Sequence, residues 1–127
     1  MTKISKAEKH QQKLEIEIAR KASFMNTTKW KALFSILTDL NLPFESTIKL
    51  LLDAKTRAFS IPNSNNLINE KYIEEYWGVF ELKEIEWILI SLKNDFQKLE
   101  QLEQMLQEGK QFEYETSEAG LKIYGYK

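Results

Sequence analysis

The sequence predicts an α+β domain: an antiparallel sheet of about five strands, helices packed mainly on one of its faces, and a peripheral N-terminal helix. Three observations carry that expectation. Residues 26–40 and 95–106 place apolar side chains at helical intervals. Residues 44–61 and 112–126 alternate with period two around a turn, as hairpins do. Glu84-Ile85-Glu86-Trp87-Ile88-Leu89-Ile90 starts with carboxylates and ends as an unbroken apolar block, which predicts a central strand buried on both faces over Ile88 to Ile90. Hairpins joined to helices in this order favour an antiparallel sheet with its helices segregated to one side.

In chain order, Ser5-Lys6-Ala7-Glu8 fits a capping box, so a helix starts there and runs to about Ala22. Its apolar stripe is only Leu14, Ile18 and Ala22, with Ile16 off it. Such a helix buries little, and is expected to be peripheral, frayed at its start or used against a partner. Residues 1–23 thus read as a basic helix preceding a single α+β domain over 24–127. Asn26 suits the N-cap of a second helix, with Met25 positioned to staple onto Trp30. Trp30, Leu33, Phe34, Leu37 and Leu40 share one face, and Asn41 and Pro43 end the helix.

From Phe44 the period becomes two. Ile48, Leu50 and Leu52 share a face, Asp53-Ala54-Lys55 turns, and Thr56 to Ile61 returns. Pro62 to Asn66 is a loop by composition. Tyr72, Tyr76 and Phe80 have helical spacing, while Gly78 and the surrounding aromatics also suit a strand or an irregular turn. A short helix or turn is favoured across Tyr72–Phe80 before the strand from Glu84, with helix and strand both open. Asn94 or Asp95 caps a third helix whose buried face is Phe96, Leu99, Leu102, Met105 and Leu106, stopped by Gly109. Phe112 to Thr116, a turn over Ser117–Gly120, and Leu121 to Tyr126 form the closing hairpin, Gly120 being able to take a positive φ.

The chain has 127 residues, enough for one core, and no cysteine, which removes disulfides, thiolate nucleophiles and Cys-based zinc sites. The N-terminus carries Lys3, Lys6, Lys9 and Lys13 without an apolar stretch, so it does not read as a secretory signal, and no run reaches membrane-spanning length. A reducing cytoplasm is the expected compartment. The net charge of −1 conceals an asymmetry: residues 1–31 hold eight Lys/Arg against three Glu, and the rest hold ten against sixteen Asp/Glu.

No motif announces an activity. His10 is the single histidine and is expected to be exposed amid Lys and Gln. The four glycines are isolated, so no phosphate loop is present, and no cofactor or metal is expected. Glu84 and Glu86 lie i, i+2 on a predicted strand, about 6.6 Å apart at a rise of 3.3 Å per residue. Glu113 and Glu115 repeat the pattern. Paired carboxylates at about 6.5–9.5 Å can hydrolyse glycosides, but only across a cleft. Adjacent acids on one strand are ordinarily the solvated face of a one-sided sheet. No catalytic residue is therefore assigned, and the chain is expected not to be an enzyme.

Between residues 70 and 86 stand six acids, Glu70, Glu74, Glu75, Glu81, Glu84 and Glu86, against Lys71 and Lys83. They interleave with Tyr72, Tyr76, Trp77 and Phe80. Carboxylates around large aromatics are what a binder of a basic protein presents, although aromatics at such spacing ordinarily pack inside. The alternative is nucleic-acid binding through Lys3, Lys6, Lys9, Lys13, Arg20, Lys21, Lys29 and Lys31. Lys dominates over Arg there, and the acidic body would repel a polyanion.

Asn26-Thr27-Thr28-Lys29-Trp30, Glu84-Ile85-Glu86-Trp87-Ile88 and Ile123-Tyr124-Gly125-Tyr126 resemble the N-T-K-W, I-E-W-I and I-Y-G-Y landmarks of a small bacterial family of unknown function. The resemblance spans about Phe24 to the C-terminus. It implies a single-domain α+β protein and carries no activity. In general form alone (size, acidity and lack of a catalytic group) the chain also resembles immunity proteins that neutralise toxins. The function expected is a non-catalytic protein-binding module, an immunity-like inhibitor of a basic partner such as a nuclease toxin. The binding residues expected are Glu70, Tyr72, Glu74, Glu75, Tyr76, Trp77, Glu81, Glu84 and Glu86.

Overall fold

The computed structural model describes residues 5–40, 45–58, 67–68, 71–74, 78–91, 96–108 and 112–127. The elements in chain order are α1 (Lys6–Arg20), α2 (Thr27–Leu40), β1 (Glu45–Leu50), β2 (Arg57–Ala58), β3 (Leu67–Ile68), β4 (Lys71–Glu74), β5 (Gly78–Glu81), a 3₁₀ turn (Leu82–Glu84), β6 (Ile85–Ser91), α3 (Phe96–Glu108), β7 (Tyr114–Ser117) and β8 (Gly120–Tyr124). The strands expected from period-two alternation and from the Glu84–Ile90 run form one antiparallel sheet, in the order β2-β1-β6-β8-β7. β6 is its middle strand. The fold class is α+β, as predicted.

Register decides which side chains meet. Ile48, Ile88 and Ile123 form one row across β1, β6 and β8, flanked by Ser46, Ile90 and Leu121. Trp30, Leu33, Phe34 and Leu37 of α2, with Leu102 and Leu106 of α3, close over these rows as one apolar cluster. Trp30 and Phe34 stack at 5.8 Å between centroids. The α2 cap works as the sequence predicts: the Asn26 side-chain oxygen accepts the Lys29 N–H at 2.8 Å. At the last hairpin Gly120 adopts φ +133°, and a Cβ there would collide with the Ile90 carbonyl oxygen.

Four expectations are corrected. Of Tyr72–Phe80, the described residues are strand and not helix: β4 and β5 pair antiparallel, Tyr72 opposite Phe80 and Ile73 opposite Val79. A spacing of four fits a helical turn but is also a multiple of two, so it cannot separate the two periods. With β3 these strands make a separate three-stranded sheet that the sequence reading lacks. Glu84 belongs to the 3₁₀ turn rather than the strand, so Glu84 and Glu86 are not strand neighbours at i, i+2. Finally, Ile88 and Ile90 are fully buried, but Leu89 and Trp87 are only half-buried, so β6 is covered on one face and not on both. β1 also stops at Leu50, two residues before Leu52. The expected stops and caps at Asn41, Pro43, Asn94, Asp95 and Gly109, and the loop Pro62–Asn66, lie outside the described residues.

A bulge sets the geometry at the start of β6. Lys49 faces Trp87 while Leu50 faces Ile85, so Glu86 is the extra residue. Its carbonyl accepts the N–H groups of Gly125 at 2.8 Å and Tyr126 at 3.1 Å. This brings the end of β8 against β6 and under Trp30. The Ala22–Phe24 connection then pairs with Gly125–Lys127, through Phe24 N–H to Gly125 carbonyl at 2.9 Å and reciprocal Ala22–Lys127 bonds at 2.8 and 3.0 Å.

α1 packs onto this end of the sheet. Ser5 caps it, its hydroxyl accepting the Glu8 N–H at 3.1 Å. Leu14, 1% exposed, enters a small second cluster with Leu51 and Tyr126, and Ile18 and Leu52 pack against it. Ile16 points to solvent, as the stripe predicts. The Tyr126 hydroxyl donates to the Lys83 carbonyl at 2.8 Å, and burial raises its pKa.

Two tests follow from this packing. A Cβ at Gly125 would fall on the Ile85 carbonyl oxygen and 3.0 Å from Trp30 Cζ2, both in the packed interior. Gly125→Ala should therefore cost roughly 2–3 kcal/mol in urea unfolding, as overpacking does; an unchanged midpoint would refute the close approach. Tyr126 supplies the second. A phenol whose folded pKa lies above its unfolded value of about 10 contributes stability that is intact below that value and lost as pH rises through the folded one. Tyr126→Phe should lower stability by about 1 kcal/mol at neutral pH, the worth of its hydrogen bond. It should also make the decline above about pH 10 shallower than in wild type. Parallel alkaline slopes for the two proteins would show that Tyr126 does not report on this cluster.

Candidate functional site

Of the acidic face expected from the sequence, only Glu81, Glu84 and Glu86 have side chains among those described. Glu70, Glu75, Tyr76 and Trp77 lie outside the described residues, and Tyr72 and Glu74 are placed only by their backbone on β4. The other three are engaged. Glu81, at the end of β5, pairs with Lys83 at 3.3 Å. Glu84 turns back to accept the Glu81 N–H at 2.6 Å and takes His10 Nε2 at 2.7 Å. Glu86, at the bulge, holds Lys49 Nζ at 2.8 Å and Lys21 Nζ at 3.4 Å.

The His10–Glu84 contact joins residues 74 positions apart and was not legible in the sequence, although His10 is exposed as expected. It lines a cleft of about 480 Å³ between α1 and the β1–β2 turn, with Asp53 and Arg57 on the far side and Leu50 and Phe80 as apolar wall. Asp53 and Arg57 pair at 3.2 Å. The described lining contains no hydroxyl, thiol or amine nucleophile, and the cleft includes neither Glu86 nor Glu113 nor Glu115. The four carboxylates weighed for hydrolysis are thus not gathered at this cleft. Among the described residues no group of three metal-ligating side chains occurs, and no helix is long and apolar enough to cross a membrane.

The basic residues of the first quarter are partly engaged too. Lys21 reaches Glu86, Arg20 pairs with Glu17 at 3.2 Å, and Lys29 Nζ donates to the Phe24 carbonyl at 3.1 Å.

The sheet face opposite α2 and α3 offers more. Antiparallel register puts Thr47, Leu89, Lys122 and Glu115 in one row, and Lys49, Trp87 and Tyr124 in the next. Leu89, Trp87 and Tyr124 are half-buried there. Lys122 Nζ sits 4.3 Å from the centroid of the Trp87 ring. Lys127 Nζ sits 4.6 Å from that of Tyr124 and also bonds Glu113 at 3.1 Å and Glu115 at 3.2 Å. The Tyr124 hydroxyl donates to Glu115 at 3.0 Å. That bond, then Lys127, lowers the Glu115 pKa; Glu113 and Glu115 together raise that of Lys127. Burial and the Glu115 bond raise Tyr124. The result is an apolar-aromatic centre with charge of both signs around it.

A signal for this face did exist in the sequence. Trp87 and Leu89 alternate with Ile88 and Ile90, and Lys122 and Tyr124 alternate with Leu121 and Ile123. Treating Ile88–Ile90 as buried on both sides hid it.

The three landmark stretches meet at one place in this geometry. Trp30 closes over Gly125, and the Glu86 carbonyl binds the Gly125 and Tyr126 amides. Comparison with known proteins agrees with the resemblance those stretches carry. No curated protein and no solved structure matches the chain. One family model does, described as a family of unknown function (DUF6678), over residues 13–127, which takes in the second half of α1 together with every later element. The chain belongs to that family.

Proposed function

We propose that the protein is a non-catalytic protein-binding module that captures a basic protein partner, in the manner of an immunity protein restraining a toxin. The observation that carries this is the half-exposed face of the five-stranded sheet, where Trp87, Leu89 and Tyr124 form an anchor and Glu45, Glu113 and Glu115 stand among the surrounding charges. Aromatic residues in a desolvated centre supply most of the binding energy of such interfaces. The acid surplus of residues 32–127 would steer a cation towards it.

The assignment moves the centre of binding from the predicted stretch Glu70–Glu86 onto the adjoining strands. Glu84 and Glu86 are held by His10, Lys21 and Lys49, so their charges serve the fold first.

The test is direct. A basic protein recovered on the wild-type module would be titrated calorimetrically against Trp87→Ala, with the circular dichroism of the variant confirming its fold. The expected loss is about thirtyfold in affinity, the ~2 kcal/mol of a hot-spot aromatic. Association should slow as salt rises. Undiminished affinity in the folded variant would remove the sheet face from the interaction. A partner that proves to be a polyanion, with binding lost on deleting residues 1–22, would replace the proposal by the nucleic-acid alternative.

A further inference from the structure

We propose that the cleft-free corner formed by Tyr124, Glu113 and Glu115 is a recognition site for the ammonium group of a partner lysine, and that Lys127 occupies it in the free protein as a tethered stand-in. The inference rests on the sheet face being the partner-binding surface, and names what that surface recognises.

The geometry is that of a complete ammonium site. A lysine ammonium has three donors and no acceptor. Here one N–H direction goes to Glu113 Oε1 at 3.1 Å and one to Glu115 Oε1 at 3.2 Å, while the ring of Tyr124 lies 4.6 Å away at its centroid. The second oxygen of Glu115 is fixed by the Tyr124 hydroxyl at 3.0 Å, so ring and carboxylate hold each other in place without the cation. The two carboxylates come from separate residues and converge on one point. That arrangement fits a pyramidal ammonium better than the planar fork of a guanidinium, which prefers two oxygens of a single carboxylate.

The occupant is attached in a way that lets it leave. The Lys127 backbone is anchored by reciprocal bonds to Ala22, so the side chain alone moves. Its side chain is 38% exposed, and those of Glu113 and Glu115 are 42% and 58% exposed. Exposed ion pairs contribute little net stability, so exchanging one ammonium for another costs the fold little. A neighbouring ring repeats the motif, with Lys122 over Trp87. A basic partner would therefore meet aromatic faces already arranged for cations.

The experiment uses an acetylated, amidated tetralysine peptide as probe, followed by NMR at the Trp87 indole and at Tyr124. A tethered competitor reduces apparent affinity by the fraction of time that it leaves the site open. Lys127→Ala should bind the probe roughly three- to tenfold more tightly than wild type, and adding Glu115→Gln to that variant should abolish the gain. Lys31→Ala makes the same change in net charge on α2, away from the sheet face, and should leave affinity near the wild-type value. Equal binding by wild type and Lys127→Ala, with Trp87 still perturbed, would overturn the stand-in while leaving the sheet face as a docking surface. An equal gain in Lys31→Ala would reduce the effect to bulk charge, and a matching tetra-arginine peptide that binds more tightly would overturn the choice of lysine.

Discussion

The close approach of Gly125 to β6 is the constraint on which the rest of the structure depends. β6 carries one residue too many at Glu86, whose carbonyl accepts two successive amides, Gly125 and Tyr126. The backbones come so close there that a Cβ on Gly125 would fall on the Ile85 carbonyl oxygen. Only a residue without a Cβ leaves room for the Ile85 carbonyl on one side and the Trp30 ring on the other. From that point the architecture extends in three directions. Trp30 brings α2 and the helical face of the core. Ile85, turned by the bulge, joins Ile88 and Ile90 in the same buried layer. Tyr126 reaches beyond the sheet to Leu14 and so attaches α1.

The attachment of α1 differs in kind from the packing of α2 and α3. α2 buries Trp30, Leu33, Phe34 and Leu37, and α3 buries Leu102 and Leu106, which at about 1.5–3 kcal/mol per side chain outweighs local preference. α1 buries Leu14 and then relies on polar ties, His10 to Glu84 and, just past its end, Lys21 to Glu86. Partly exposed pairs of that sort are individually weak. They are nevertheless specific in position, because Glu84 is held by the Glu81 amide and Glu86 by Lys49 as well as by Lys21. The acidic residues near the start of β6 thus act first as docking points for a basic helix.

How much of this was legible in the sequence follows from the range of the forces involved. The α2 and α3 stripes, the Asn26 and Ser5 caps and the Gly120 turn are local, and each appears where its pattern predicts. The pairing of β4 with β5 stays ambiguous in the sequence because Tyr72, Tyr76 and Phe80 satisfy two periods at once, and Gly78 with the surrounding aromatics suits a strand or a turn without deciding between them. The bulge was invisible for a different reason. An extra residue in a strand shows only against its partner, and Glu84 and Glu86 looked like neighbours until β1 supplied the register. His10 and Glu84 are still less accessible to local reasoning, being 74 residues apart.

The proposed binding surface stands between these cases. Its residues alternate along β6 and β8 in plain view, but their grouping needs the strand order to be known. Once β8 lies beside β6, Trp87 faces Tyr124 and Leu89 faces Lys122, and a face assigned to the interior becomes half-exposed. The charges there are balanced rather than acidic: Lys49 against Glu86, Lys127 against Glu113 and Glu115, and Lys122 over an indole. Lysine ammonium groups over the Trp87 and Tyr124 rings place charge at the centre of a half-apolar face. If this face receives a lysine, as proposed, the incoming ammonium would replace the chain's own with little change in the electrostatic energy of the carboxylates, whereas a carboxylate would have to displace Glu113 and Glu115 from Lys127. The discrimination proposed would then be set by the pairing of β7 with β8 before any encounter.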